Sequence, residues 1–567
     1  MNIDLGTSFC FDDILMEPIL SNISSRKSIS LETNIGINNR KLILKTPLIS
    51  SPMDTVTETD MAIKMALSGG LGIIHRYMSI EDQVTQVTKV KRFLQYIISE
   101  PYKIKPDTHL QEIEHLRKLY NVSSFCVVND YDGENKNILV GILTKRDIEY
   151  MKHYQNYYTI NNENNETNKN IQIPDIIANN FMTKIDKLIT ISISNTCSST
   201  SNEYNLNLEN TLSLAKDLIH TNKIEKIPIL KDNTLVGLIT LKNICHYENN
   251  KSKACIDSNG ALCVGAAIGI VDDYMERLDK LISAGVDLIC IDVANGFNTN
   301  VFNSITVIRD RYPNIVLMVG NVCNWQGYAA LAQYDVDCIR VGVGNGSICT
   351  TRLETGIGKG QFSAVSECFQ YKAKTEQIIN NNINNINNIN NINNNNNTIN
   401  TSNTTNTYKQ LPNLICDGGS LGKTGNKVKA LACGSSAIML GRTLASTIES
   451  PGTIIHRNGK RFKYIRGMAS TMANISKQEK DKHSDSKEKN VSVSVSTHSE
   501  GVDGEQELSG SVVDVIDQIN GGLKSGMSYL GCETIQQLHN KNSKGEIKYN
   551  LVTSIGMSEN GIRVKTY

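Results

Sequence analysis

One nine-residue run, Gly344-Asn345-Gly346-Ser347-Ile348-Cys349-Thr350-Thr351-Arg352, concentrates more chemistry than any other part of the chain. Glycines at 344 and 346 let the backbone come close to a ligand and turn its N–H groups toward an anion. Ser347 adds a hydroxyl donor for a phosphate. Cys349 follows the turn, and a thiol beside backbone donors and a basic residue such as Arg352 can lose its proton and become a nucleophile. The competing reading is a buried, inert thiol; the clustering of anion turn, thiol and arginine argues for a functional Cys349. A second run, Asp417-Gly418-Gly419-Ser420, pairs a carboxylate suited to the two hydroxyls of a ribose with glycines that admit a phosphate. In a third, Gly441-Arg442-Thr443, Arg442 can bind phosphate in bidentate fashion or make an ordinary surface salt bridge. Asp292, followed by VANG, and Gly320-Asn321 are placed to face a second ligand. No cluster of His, Cys, Asp and Glu has metal-ligand spacing.

These residues share a context: each follows a short apolar run. VDLICID, NIVLMVG, CIRVGV, NLIC and AIML are continuous apolar segments, as parallel strands buried on both faces require. KLILKTPLIS and GLGIIH read the same way nearer the N-terminus. Helix-like stretches such as DMAIKMALSGG, ERLDKLISAG and KVKALACGSS alternate with them. This βα repetition predicts a (β/α)8 TIM barrel, whose ligands sit at the C-terminal ends of the strands. A doubly wound open sheet is the rival, but no GxGxxG follows an early strand.

The barrel pattern is interrupted. Residues 1–95 and 251–567 carry it, while 96–250 form an inserted α+β block with a weak internal repeat. NILVGILTKRDI (137–148) recurs as NTLVGLITLKNI (233–244). Two such modules commonly pack together and form a ligand cleft between them. The Asn-rich tract at 378–407 lacks the apolar content to offset its ordering entropy and is expected to be a disordered insert. The polar stretch 472–500 reads as a mobile flap.

With 567 residues and 40% hydrophobic content the chain can bury a large core. Lys+Arg is 58 against Asp+Glu 57, a net charge of +1, which argues against nucleic acid or a polybasic membrane contact. No apolar run reaches the ~18 residues of a membrane span. The N-terminus has no signal-peptide layout, and the 14 cysteines show no CxxC pair, so reduced thiols and a cytoplasmic location are expected.

The motifs together resemble the inosine-monophosphate dehydrogenase and guanosine-monophosphate reductase family. KTPLISSPMDTVTETDMAIKMALSGGLGIIH, GNGSICTTR, DGGS, IRGMAS and GGLKSGMSYLG carry the likeness, and the inserted block resembles a tandem cystathionine-β-synthase-type (CBS) pair. The resemblance implies that Cys349 attacks C2 of the purine to form a thioimidate while Thr351 orients or activates. It implies a purine mononucleotide held by Ser51, Met53, Ser347, Asp417, Gly419, Gly441, Arg442, Gly467, Met468 and Glu500. Asp292, Asn321 and Gly342 would face NAD, or NADP in a reductase. Carbonyls of Gly344, Gly346 and Cys349, with Glu559 of a neighbouring subunit, would bind potassium, which implies a homotetramer. An adenine or guanine nucleotide would be the ligand of the CBS-like module.

Two reactions remain open. The inserted modules, SSPMDTVTE, EGV (500–502) and GGLKSGMSYLG look like the dehydrogenase, and narrowly favour NAD-dependent oxidation of IMP to XMP. DVANG and AVSEC look like the reductase, which converts GMP to IMP with NADPH. The dehydrogenase also needs an Arg-Tyr pair on its flap as hydrolytic base. The stretch TMANISKQEKDKHSDSKEKN has none, with Lys480, Lys482 and His483 as the available substitutes. A catalytically poor purine-nucleotide-binding protein is the third reading.

Overall fold

The computed structural model describes residues 6–556 without 94–96, 99–100, 121, 130–136, 165–174, 193–207, 232, 272, 395–409, 420, 469, 471–499 and 554. The chain divides into two units, Met1–Phe93 with Lys253–Tyr567, and Leu94–Ser252.

The first unit is a closed eight-stranded parallel barrel. Its strands are β1 (Leu48–Ser50), β2 (Leu71–Ile74), β3 (Gly265–Ile268), β4 (Leu288–Asp292), β5 (Val316–Val322), β6 (Cys338–Val341), β7 (Asn413–Asp417) and β8 (Ala437–Leu440). The inward side chains include Ile73, Ala267, Cys290, Met318, Ile415 and Met439, one buried cluster that fills the interior. Seven strands coincide with apolar runs singled out in the sequence. β3 does not: its Gly-Ala-Ala-Ile is too short and small to stand out. KLILKTPLIS is not one strand either. Pro47, which lacks a backbone donor, separates a two-residue strand at Ile43–Leu44 from β1.

Capping residues delimit the helices. Asn298 accepts a hydrogen bond from the Asn300 N–H at the start of Thr299–Arg311, and Asn324 accepts one from the Gly327 N–H ahead of Trp325–Leu331. After β8 the chain leaves the barrel as an antiparallel three-stranded arm of β9 (Ile454–Arg457), β10 (Lys460–Arg466) and β11 (Asp503–Glu507). It returns as the helix Val512–Tyr529.

At the N-terminal end of the barrel Asp337 is fully buried. Its Oδ1 accepts from Arg40 Nε at 2.8 Å and its Oδ2 from Arg309 Nη2 at 2.6 Å and from the Leu317 N–H at 2.8 Å. Burial lowers the pKa of the Arg309 guanidinium, and Asp337 works in the opposite direction.

The helix Gln361–Asn394 corrects one expectation. It takes in the first part of the Asn-rich tract, 378–394, as helix rather than disordered chain, while 395–409 lie outside the described residues. Its first turns are nucleated by burial of Ala364, Val365, Cys368 and Phe369.

The second unit has two halves with the same element order. One runs through the strands Lys103–Ile104, Phe125–Asn129 and Ile138–Leu143, with helices Leu110–Tyr120 and Lys145–Asn164. The other runs through Ile191–Ser192, Lys226–Lys231 and Thr234–Thr240, with helices Leu208–Asn222 and Leu241–Asn250. The repeated sequences occupy equivalent strands, and Thr234 pairs with Ile138.

Asp337→Ala strands two buried guanidinium groups and should lower the stability of the barrel by about 3–5 kcal/mol, read from its chemical denaturation. Replacing residues 383–407 by a short Gly-Ser linker should leave the melting temperature unchanged, because positions 377, 378, 380, 381 and 382 of the helix are already exposed. A marked drop in that temperature would show that the extension packs against the barrel.

Candidate active site

The singled-out residues that the structure describes lie at the C-terminal ends of the strands, on the segments that follow them, or beside the arm. Glu559 and the flap residues 472–499, including Lys480, Lys482 and His483, lie outside the described residues.

The centre is Cys349. Its Sγ lies 3.1 Å from Thr351 Oγ1, which donates to Glu500 Oε2 at 2.7 Å. Because Thr351 spends its proton on Glu500, its lone pairs are free to accept the thiol proton. The order Sγ–H, Oγ1–H, Oε2 is a proton path from nucleophile to carboxylate. The backbone holds it in place: Cys349 pairs with Gly501, Thr350 N–H donates to the Glu500 carbonyl at 2.9 Å, and Val502 N–H to the Ile348 carbonyl at 3.0 Å. Gly467 N–H donates to the Val502 carbonyl at 3.1 Å, and a Cβ at 467 would fall 3.0 Å from both the Gly501 Cα and the Ile348 carbonyl oxygen. A side chain there would require the neighbouring backbone to give way. Glu500, which the sequence reading places with the nucleotide, thus also reaches Thr351 beside the thiol.

Cys349 differs from the thiols beneath it. Cys290 and Cys416 are buried on β4 and β7, and burial pushes each up to about 12. Cys349 is partly exposed. Arg352 is not its basic neighbour, contrary to the sequence expectation. It donates from Nε to the Val343 carbonyl at 3.2 Å and from Nη2 to the Lys359 carbonyl, so it closes the loop.

A second group lies at β1 and β8. Ser51 N–H donates to the Leu440 carbonyl at 3.0 Å, and Gly441 lies against Met53. Met468 Sδ accepts from the Asp54 N–H at 3.3 Å, and Asp54 is bound by Arg466 Nε at 2.7 Å. Arg442 is exposed and donates to Gln506 Oε1 at 3.2 Å; Ser347 is exposed on the loop.

The third group is built on β4 to β7. Asp417 Oδ2 accepts from Asn321 Nδ2 at 2.9 Å and from Arg340 Nη2 at 2.7 Å. Arg340 Nη1 reaches Asp292 Oδ1 at 2.6 Å. Asn321 also donates to the Gly342 carbonyl at 2.7 Å, and Asn345 to the Asp417 carbonyl at 2.9 Å. Gln361 Nε2 donates to the Val341 carbonyl at 2.6 Å and holds Asn345. Sequence reasoning missed Arg340 and Gln361. Arg340 sits inside an apolar strand, and a charged residue there was the available signal.

Buried polar atoms without a protein partner mark where a ligand belongs. Among the described residues these are Asp54 Oδ1, Arg76 Nε, Arg340 Nε and Ser435 Oγ, and the first three belong to this end of the barrel. The donor set fits two polar ligands side by side. At the loop the Gly346 carbonyl accepts the Cys349 N–H at 3.2 Å, and Arg352 packs along Gly344. No step of the reaction is assigned to a cation.

A family model described as the IMP dehydrogenase / GMP reductase domain matches residues 8–387 and 395–563. The chain belongs to that family. Inosine-5'-monophosphate dehydrogenase of Nitrosopumilus maritimus is 34% identical over 531 residues, 93% of each chain. The enzyme of that name from Bacillus subtilis is 35% identical over 552 residues, 97% of this chain and 94% of its own. Among solved structures, a cysteine-to-alanine variant of GMP reductase from Trypanosoma brucei, in complex with guanosine 5'-monophosphate, matches with a TM-score of 0.77 and 28% identity, covering 99% of both chains. The protein is an oxidoreductase of this family. Among its described residues no helix is long and apolar enough to cross a membrane.

Cys349→Ala should abolish turnover while a purine mononucleotide still binds in calorimetry. Thr351→Val and Glu500→Gln break the proton path and should each cut turnover by roughly 10²–10⁴, with nucleotide affinity little changed. Full activity in either variant would show that the thiol uses another base.

Proposed function

We propose that the protein is a GMP reductase, converting GMP to IMP and ammonia at the expense of NADPH. The observation that carries this reading is the Cys349–Thr351–Glu500 relay, which supplies every proton transfer the reductive reaction needs. Cys349 gives its proton through Thr351 to Glu500, and the thiolate adds to C2 of the purine. The 2-amino group leaves as ammonia with the proton returned along the same path, and a thioimidate remains on Cys349. NADPH, when bound in the neighbouring subsite, would be the source of the hydride that adds to C2; Cys349 then leaves as the thiolate, IMP is released, and a proton from solution restores the thiol. In balance, GMP, NADPH and two protons give IMP, NADP and ammonium. No water is activated, so the absence of an Arg-Tyr pair from 471–499 costs the reaction nothing.

This reading reverses the narrow preference drawn from sequence. The inserted module had weighed toward the dehydrogenase, yet a protein named GMP reductase aligns over 99% of this chain and 99% of its own. The module therefore does not separate the two enzymes. In the proposed arrangement Asp417 holds the ribose, Ser51, Met53, Gly419, Gly441, Gly467 and Met468 surround the nucleotide, and Ser347 and Arg442 approach its phosphate. Asp292, Asn321 and Gly342 line the neighbouring dinucleotide subsite. The module at Leu94–Ser252, with its two like halves, is assigned an adenine or guanine nucleotide as ligand.

The dehydrogenase remains the second reading, supported by relatives of that name at 34–35% identity over nearly the whole chain. Purified protein given GMP and NADPH should consume NADPH and yield IMP and ammonia, while IMP with NAD should give no XMP. The opposite pattern would establish the dehydrogenase, and nucleotide binding without either turnover would leave a binding protein.

A further inference from the structure

Arg340 is a charge buried inside the barrel. It lies on β6, and its side chain is 6% exposed. The guanidinium reaches two other strands: Nη1 meets Asp292 at the end of β4 and Nη2 meets Asp417 at the end of β7. Space for it is made by Gly320 on β5, where a Cβ would fall 2.6 Å from Arg340 Cβ. The two carboxylates belong to different subsites in the proposed reading, Asp417 to the mononucleotide and Asp292 to the dinucleotide.

We propose that Arg340 is a positioning residue that holds both ligand-facing carboxylates in orientation at once, so that one buried cation serves the nucleotide and dinucleotide subsites together. The side-chain bonds to the Asp417 carboxylate from Asn321 and Arg340 both fall on Oδ2, which fixes the plane in which Oδ1 faces the ligand. Burial by itself disfavours the guanidinium charge, but Asp417 and Asp292 outweigh it and hold Arg340 well above the ordinary arginine range. The other groups near the triad do not compete. Cys290 Sγ, 3.6 Å from Nη1, and Cys416 are thiols that burial pushes up to about 12. Tyr77 feels Asp292, and burial raises its phenol despite Arg76 beside it. Asn321 is neutral. Arg340 is thus the charge that balances both acids within the interior.

The planar fork matters as much as the charge. A guanidinium can donate along two directions at once, whereas an ammonium on a flexible stem is a point charge. Loss of Arg340 removes the cation that favours the charged form of two partly buried carboxylates, and a protonated carboxyl is a weaker acceptor for ribose hydroxyls.

The inference rests on the proposed assignment of the two subsites, and the test separates them. Binding of GMP, and separately of NADPH, is measured by calorimetry from pH 5.5 to 8.5 for wild type, Arg340→Gln and Arg340→Lys. The ratio of variant to wild-type Kd at each pH cancels titration of the ligands' own phosphates. For Arg340→Gln the GMP ratio should rise at least about tenfold as the pH falls across this range, as carboxylates lose their counter-charge. Arg340→Lys carries the test if the Gln variant does not fold. Its ratio should rise at low pH for at least one ligand, the one held by the carboxylate the ammonium cannot reach. A merely structural arginine would weaken binding evenly at every pH. Ratios flat with pH for both ligands overturn the proposal, whereas a wild-type protein that binds neither ligand overturns the subsite assignment instead.

Discussion

The site depends on a short antiparallel pairing between the thiol loop and the chain re-entering from the arm. Thr350 donates to the Glu500 carbonyl, Val502 to the Ile348 carbonyl, and Cys349 faces Gly501. Few hydrogen bonds are involved, yet they bring a carboxylate from far along the chain onto Thr351, beside the Cys349 thiol. Net stabilisation from such bonds is only about 0.5–1.5 kcal/mol each. The pairing is therefore supported from outside. Gly467 permits close approach of the strand exit, Arg466 is tied to Asp54, and Arg352 closes the loop from behind.

A barrel suits this chemistry because it separates stability from reactivity. The N-terminal end is locked by Asp337 between Arg40 and Arg309 and by Lys91 between Asp257 and Asp287. The C-terminal end carries the partnerless polar atoms Asp54 Oδ1, Arg76 Nε and Arg340 Nε. Such groups are tolerated only where the rest of the fold is secure, and they define where binding energy can be recovered from a ligand. Arg340 joins the two regimes, since it is buried like a structural ion pair while its partners reach the ligand face.

Reductase and dehydrogenase differ in the fate of the thioimidate. One scaffold can form that intermediate for either reaction, so the resemblance of the barrel to both families of relatives is expected. The discrimination lies in whether a second base is present to activate water. The relay at Cys349 is complete without one.

Much of this was legible in the sequence. The apolar runs located seven of the eight strands, and GNGSICTTR and DGGS marked the loops that gather at their ends, because each is a local pattern with its own physical signature. The two-fold repeat marked the inserted unit for the same reason. Other features were not local. β3 hid because Gly-Ala-Ala-Ile has neither length nor bulk, and it becomes a strand only when β2 and β4 flank it. The extension of the helix from Gln361 into the Asn tract came from packing of its first turns, which composition does not record. Glu500 and Thr351 were each visible as residues, but their pairing was not, and Arg340 read as one charge in an apolar strand. Their roles arise from distances between elements remote in the chain. Sequence alone therefore determined which groups were available for chemistry, and the closing of the barrel decided which of them share a proton or a charge.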